Sequence, residues 1–131
     1  MTRTTARMQA MKLIYEWEMG GDGGDDTRFG LLEVRPDEEE ADYMDRVFEG
    51  VVSNVEALDS AIERYTRGWK LDRITRVDLA ILRLGAYELQ QGAEAPSVVI
   101  SEATYLANTF SGEKASAFVN GVLGSIAREE H

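Results

Sequence analysis

Val77-Asp78-Leu79-Ala80-Ile81-Leu82-Arg83-Leu84-Gly85-Ala86-Tyr87-Glu88-Leu89 is the most apolar segment of the chain, and it reads as helix. At the helical step of about 100° per residue its polar positions are few and ordered. Arg76, Arg83 and Gln90 recur every seven residues and form one narrow polar line. Asp78 and Glu88 lie on other faces. Most of the circumference is apolar, which marks a helix buried on several sides. Such a helix is satisfied only if other helices surround it.

The rest of the chain supplies them. Residues 3–19 are amphipathic, with Ala6, Ala10, Leu13, Ile14 and Trp17 on one face. Gly20-Gly21-Asp22-Gly23-Gly24-Asp25-Asp26 ends that helix, and residues 20–35 read as a mobile acidic, glycine-rich loop. Pro36 suits the first turn of a second helix, and Asp37-Glu38-Glu39-Glu40 complements its positive end. Tyr43, Met44, Val47, Phe48, Val51 and Val52 give it a core face. Asn54 is a break or cap. Val55, Leu58, Ile62 and Tyr65 carry a third helix, with Gly68 as its expected stop.

Thr75 with Asp78 three residues on resembles a capping pair at the start of the central helix, aspartate replacing the usual Glu or Gln. Gln91-Gly92 closes the helix and Pro96 forbids its simple continuation. Ser97 or Ser101 is the expected cap of the next helix, which carries Val98, Val99, Ala103, Leu106 and Ala107. After Ser111-Gly112 a last helix presents Ala115, Phe118, Val119, Val122 and Ile126. No β-alternation of useful length and no internal repeat interrupts this pattern. The expectation is a single all-α domain over residues 1–131, of six to seven helices.

At 131 residues one domain is the default, and folding buries roughly two-thirds of the unfolded surface. No apolar run approaches the roughly 20 residues that span a bilayer. No signal peptide is evident, and there is no cysteine, hence no disulfide and no thiolate chemistry. This suits a cytoplasmic protein. The net charge of −10 is uneven: residues 16–63 hold 16 of the 24 acids and only three cations, Arg28, Arg35 and Arg46. The remainder is mildly basic, and an acidic flank can coexist with a local anion-binding face.

Catalysis has little to stand on. The only histidine is the terminal His131, and neither metal-ligand spacing nor a phosphate-loop glycine pattern occurs. Carboxylate pairs such as Asp37 and Glu40 read as helix-end and solubility charges. The basic clusters say more. Arg64, Arg67, Lys70, Arg73 and Arg76 stand with Tyr65 and Trp69 in 13 residues. Guanidinium groups pair with phosphates and aromatic faces stack on unpaired bases. The alternative is that the two aromatics are core anchors and the cations a solvated turn; the residues alone leave both open. Lys114 is the only cation between Arg83 and Arg128. Asp78 can cap its own helix, contact a partner, or do both.

Several segments together resemble the bacterial transcription antitermination factor NusB family. They are Ala6-Arg7, Tyr15-Glu16-Trp17, Trp69-Lys70-Leu71, the Val77–Leu89 stretch, Ser101-Glu102-Ala103 and Phe118-Val119-Asn120-Gly121-Val122-Leu123. The resemblance implies two perpendicular three-helix bundles, no enzymatic activity and no cofactor or metal. It implies a role with NusE, a small-subunit ribosomal protein, in binding the boxA element of nascent RNA. That complex keeps RNA polymerase elongating through ribosomal RNA operons. By position, an RNA face falls on Arg3, Arg7, Arg67, Lys70, Lys114 and Phe118, and a partner surface on Asp78 and Glu102. Family members occur as monomers or homodimers. Thr4 and Thr5 interrupt an arginine cluster that is often denser in relatives, so RNA affinity without the partner is expected to be weak and salt-dependent. Two other readings follow from the same residues. One is an RNA-binding module like the N-terminal domain of ribosomal RNA cytosine methyltransferases. The other is a protein–protein scaffold that uses the acidic flank without RNA.

Overall fold

The computed structural model describes residues 2–20, 38–66, 68 and 70–130. Most of the acidic loop expected at 20–35 lies outside the described residues, as do Arg67 and Trp69. The described residues form six α-helices and no strand: α1 (Arg3–Glu18), α2 (Glu38–Ser53), α3 (Val55–Arg64), α4 (Arg76–Gln91), α5 (Pro96–Phe110) and α6 (Glu113–Glu130), with a 3-10 turn at Leu71–Arg73 before α4.

The helix ends follow local chemistry. Thr2 caps α1, its hydroxyl accepting from the Thr5 N–H. Thr75 caps α4 in the same way, its hydroxyl accepting from the Asp78 N–H at 3.2 Å. Gly92 ends α4 with φ 68°, a left-handed conformation that glycine adopts without Cβ strain. The start of α5 differs from expectation. Pro96 opens it and Ala95 is its cap, without a side-chain cap bond. Proline at the first helical position has no N–H to satisfy, and its fixed φ sets the helix start in place of a serine cap at 97 or 101.

α4 is the central helix. α1 and α2 pack on it from one side, α5 and α6 from the other, and α3 bridges to α4 and α6. Eleven of its 16 residues are buried, among them Leu79, Ala80, Ile81, Leu82, Leu84, Ala86 and Leu89. Two close approaches need glycine. A Cβ at Gly50 would lie 2.1 Å from Cζ of Tyr87, where α2 meets α4. A Cβ at Gly85 would lie 2.6 Å from Cδ1 of Leu123, where α4 meets α6.

The polar line of α4 is not a solvated stripe throughout. Arg76 and Gln90 are exposed, but Arg83 is buried. Its guanidinium donates to Asp59 of α3 at 2.8 and 2.9 Å and to Glu18 of α1 at 3.0 Å. Burial alone would lower its pKa; the bonds to Asp59 and Glu18 outweigh it and keep the guanidinium firmly charged. One side chain of the central helix thus ties down two others.

Candidate nucleic-acid interface and partner surface

The cations expected on an RNA face separate into two groups. Arg3 and Arg7 lie near the C-terminal end of α4, engaged with carboxylates. The Arg3 guanidinium stacks over the Tyr43 ring at 4.0 Å and donates to Glu40 at 2.9 Å. Arg7 is 3% exposed. It donates to both oxygens of Glu88, at 3.0 and 3.3 Å, and to Glu94, with Glu102 at 3.7 Å. Burial by itself would lower the Arg7 pKa, but Glu88, Tyr43 and Glu94 raise it overall. This placement differs from the expected surface cation. Arg7 shares a helical face with the buried Met11 and Ile14, so the packing of α1 carries it inward.

Tyr43 completes this cluster by donating its hydroxyl to Glu88 at 2.8 Å. Burial, with the Glu88 charge beside it, pushes the phenol pKa well above its ordinary value. Neither Tyr43 nor Glu88 stands out in the sequence as part of a polar site. The only signal is a glutamate interrupting the apolar run of the central helix.

Of the second group, Lys114 stands beside a surface groove of about 440 Å³ between the end of α3 and α6. Tyr65 and Thr66 form one wall; Ala117, Phe118, Gly121, Val122 and Ser125 form the other. Phe118 is half-buried here, with an aromatic face and small residues beside it. Lys114 lies one helical turn before Phe118, at the i, i+4 spacing that puts two side chains on one face. Lys114 and Lys70 are exposed, and neither pairs with a carboxylate of any described residue. Lys70 sits at the cap of the 3-10 turn. The structure therefore brings Phe118 and Lys114 together beside Tyr65, and places Arg3 and Arg7 elsewhere.

The groove ends in an anchored corner. Arg64 Nη1 donates to Glu129 at 2.7 Å, and the Tyr65 hydroxyl donates to the other oxygen of the same carboxylate. The bond from Tyr65, together with Arg64, holds the Glu129 carboxyl below the usual carboxylate range. Glu129 in turn raises the Tyr65 phenol. Arg64 belongs to the basic cluster singled out in the sequence, but its pairing with Glu129 is not legible there, because 65 positions separate the two.

The two residues expected on a partner surface are both engaged internally. Asp78 is 7% exposed and accepts from the Ser111 hydroxyl at 2.8 Å, fastening the start of α4 to the end of α5. Glu102 accepts from the Thr4 hydroxyl at 3.0 and 3.1 Å and keeps part of its carboxylate open to solvent. Two large apolar side chains flank Glu102 on the exposed face of α5. Val98 is 43% and Tyr105 52% exposed, four residues before and three after it, on one helical face. Large exposed apolar side chains on one face mark an interaction surface more often than chance.

Among the described residues no group of three or more His, Cys, Asp or Glu is arranged to hold a metal ion. None of the described helices is long and apolar enough to cross a membrane.

The relatives agree with this architecture. The chain is 42% identical over 130 residues to the transcription antitermination protein NusB of Acetivibrio thermocellus, covering 98% of this chain and 90% of that one. It is 35% identical over 142 residues to the NusB of Clostridium botulinum, covering 96% and 99%. The fold superposes on the solved NusB of T. maritima with a TM-score of 0.87 at 30% identity, over 98% and 92% of the two chains. It also superposes on a chain in the crystal structure of the antitermination factors NusB and NusE in complex with double-stranded RNA. There the TM-score is 0.84 at 29% identity, over 97% and 96%. With the NusB family model matching residues 4–128, the chain belongs to the NusB family, whose members are non-enzymatic transcription antitermination factors.

Proposed function

We propose that this protein joins a NusE-type ribosomal protein to bind boxA-type RNA, and that the pair supports processive elongation by RNA polymerase through ribosomal RNA operons. The relative solved as a NusB–NusE–RNA complex supports the choice of partners. The observation that carries the RNA reading is the groove of Tyr65, Thr66 and Phe118 beside Lys114, an exposed cation that pairs with no carboxylate of the described residues. A half-buried aromatic wall accepts an unstacked base, and ammonium groups neutralise phosphates. Lys70, exposed before the 3-10 turn, and Arg67 belong to the stretch of sequence that follows Tyr65 and Thr66.

Arg3 and Arg7 act in this reading as positioning residues. They hold α1 against α2, α4 and α5, and so fix the scaffold on which both surfaces are displayed. The partner surface is the outer face of α5 around Glu102, with Val98 and Tyr105 as apolar anchors. Asp78 supports that surface from beneath by holding the end of α5 through Ser111.

With few cations free among the described residues, RNA affinity of the protein alone is weak and steeply salt-dependent, and the partner adds to it through a composite surface. The test is a gel shift with a short boxA-type RNA, with and without NusE. A shift enhanced by NusE supports the reading. Absence of a shift in both cases, with the protein folded, overturns it.

A further inference from the structure

The line Ala117, Gly121, Ser125 and Glu129 runs along α6 at i, i+4 spacing, so all four share one face. Three small residues form the floor of the groove, and a carboxylate stands at its far end. From Ala117 to Ser125 this floor is about 12 Å long at the helical rise of about 1.5 Å per residue, with Lys114 before it and Glu129 beyond it on the same helix. At its far end the Arg64 guanidinium and the Tyr65 hydroxyl converge on both oxygens of Glu129. Arg64, Tyr65 and Glu129 are thus arranged as an anion site that holds an anion of the protein's own.

We propose that Arg64 and Tyr65 form a phosphate site at the end of the RNA groove, and that Glu129 fills it in the free protein as an internal competitor. This rests on the reading of the groove as an RNA face. A guanidinium binds carboxylate and phosphate oxygens with the same donor fork, so one anion can replace the other without rebuilding the site. The exchange is easy because the pair is exposed: the side chains of Arg64 and Glu129 are 57% and 46% accessible. Ion pairs in that setting contribute little and yield readily to a competitor. The carboxylate stays ionised at neutral pH, since Tyr65 and Arg64 both favour its charged form. Glu129 therefore lowers RNA affinity in two ways: it occupies Arg64, and it places a negative charge where a phosphate would sit. Tyr65 also lines the groove, so displacement of Glu129 frees an aromatic wall along with the guanidinium.

The test compares wild type, Glu129→Gln, Arg64→Gln and the double variant for binding a short single-stranded boxA-type RNA in the presence of NusE, across a salt series. Glu49→Gln, which removes one exposed charge from α2, controls for net charge. Glu129→Gln is expected to bind roughly three- to tenfold tighter, with a salt slope steeper by about 0.7, the increment of one added single-strand phosphate contact. Arg64→Gln abolishes that gain in the double variant, and Glu49→Gln produces no comparable gain. If wild type binds RNA and Glu129→Gln binds no tighter, the competitor is overturned while the RNA face stands. The competitor is overturned equally if the gain persists without Arg64 or is matched by Glu49→Gln. If none of the folded proteins binds RNA, the RNA face itself is overturned and the competitor with it.

Discussion

The Arg7 guanidinium and the Glu88 carboxylate are 81 residues apart in sequence and 3.0 Å apart in the fold. The bond fastens the start of α1 to the end of the central helix. Glu94 and Tyr43 close around the same pair. Removing one partner of a buried ion pair leaves the other charge desolvated and uncompensated, at a cost of about 3–5 kcal/mol. Arg7→Ala should therefore lower the free energy of unfolding by about that amount in urea titration. A change under about 1 kcal/mol, the range of an exposed pair, would show that the cluster is not structural. Any loss of RNA binding by this variant has to be separated from its lost stability.

Tyr43 makes alkaline stability a test of the same cluster. Its folded-state pKa is raised above the ordinary value near 10 by burial and by Glu88. The protonated phenol is the form the fold favours. Its stabilisation is fully present below about pH 10 and is lost as pH rises above it. Melting temperature should fall between about pH 9.5 and 11 in the wild type, and Tyr43→Phe should flatten part of that fall. Equal slopes in the two proteins would remove Tyr43 from the explanation.

Gly50 and Tyr87 set the spacing of α2 and α4. A methyl group at Gly50 meets the Tyr87 ring at 2.1 Å, so the ring or the helix must move. Gly50→Ala should cost about 1–3 kcal/mol in chemical denaturation, the usual penalty of overpacking. The double variant with Tyr87→Ala should show a smaller added cost of Gly50→Ala. Additive losses would place the strain elsewhere.

Much of the architecture is legible in the sequence because periodicity reports burial directly. The near-continuous apolar face of Val77–Leu89 requires a surrounding shell, and Gly92 and Gly112 mark where the chain turns back. Asn54 likewise divides α2 from α3. The polar interior is not legible. Arg7 and Arg83 find their carboxylates across distances of 24 to 95 residues, and no local pattern encodes such pairings. A buried arginine also looks like a surface arginine until its helix is placed; the hint is that Arg7 falls on the face of Met11 and Ile14. The family resemblance points to Arg7 as an RNA contact, and the sequence gives no sign that Glu129 and Arg64, remote from each other along the chain, form a pair. Of the expected RNA residues, Lys114 and Phe118 are legible as neighbours because one helix carries both.

Asp78 separates support from contact. Thr75→Ala removes the cap of α4 and should cost about 1 kcal/mol without affecting NusE binding. Asp78→Asn retains shape and size and can still meet the Ser111 hydroxyl. If Asp78 serves the fold, NusE affinity stays within about twofold of wild type in calorimetric titration, a difference well under 1.4 kcal/mol per tenfold. A large loss of affinity at unchanged melting temperature would assign Asp78 to the interface itself.

The proposed RNA site is the groove beside Tyr65 and Phe118, with Lys114 on a phosphate. The most direct measurement is the salt dependence of boxA-type RNA binding to the NusE complex of wild type, Lys114→Ala and Phe118→Ala, with melting temperatures taken in parallel. Lys114→Ala should give a salt slope shallower by about 0.7, with melting temperature unchanged. Phe118→Ala should lose about 1–3 kcal/mol of affinity, the range for a base stacked on an aromatic ring. Wild-type affinity and slope in both variants would contradict the claim.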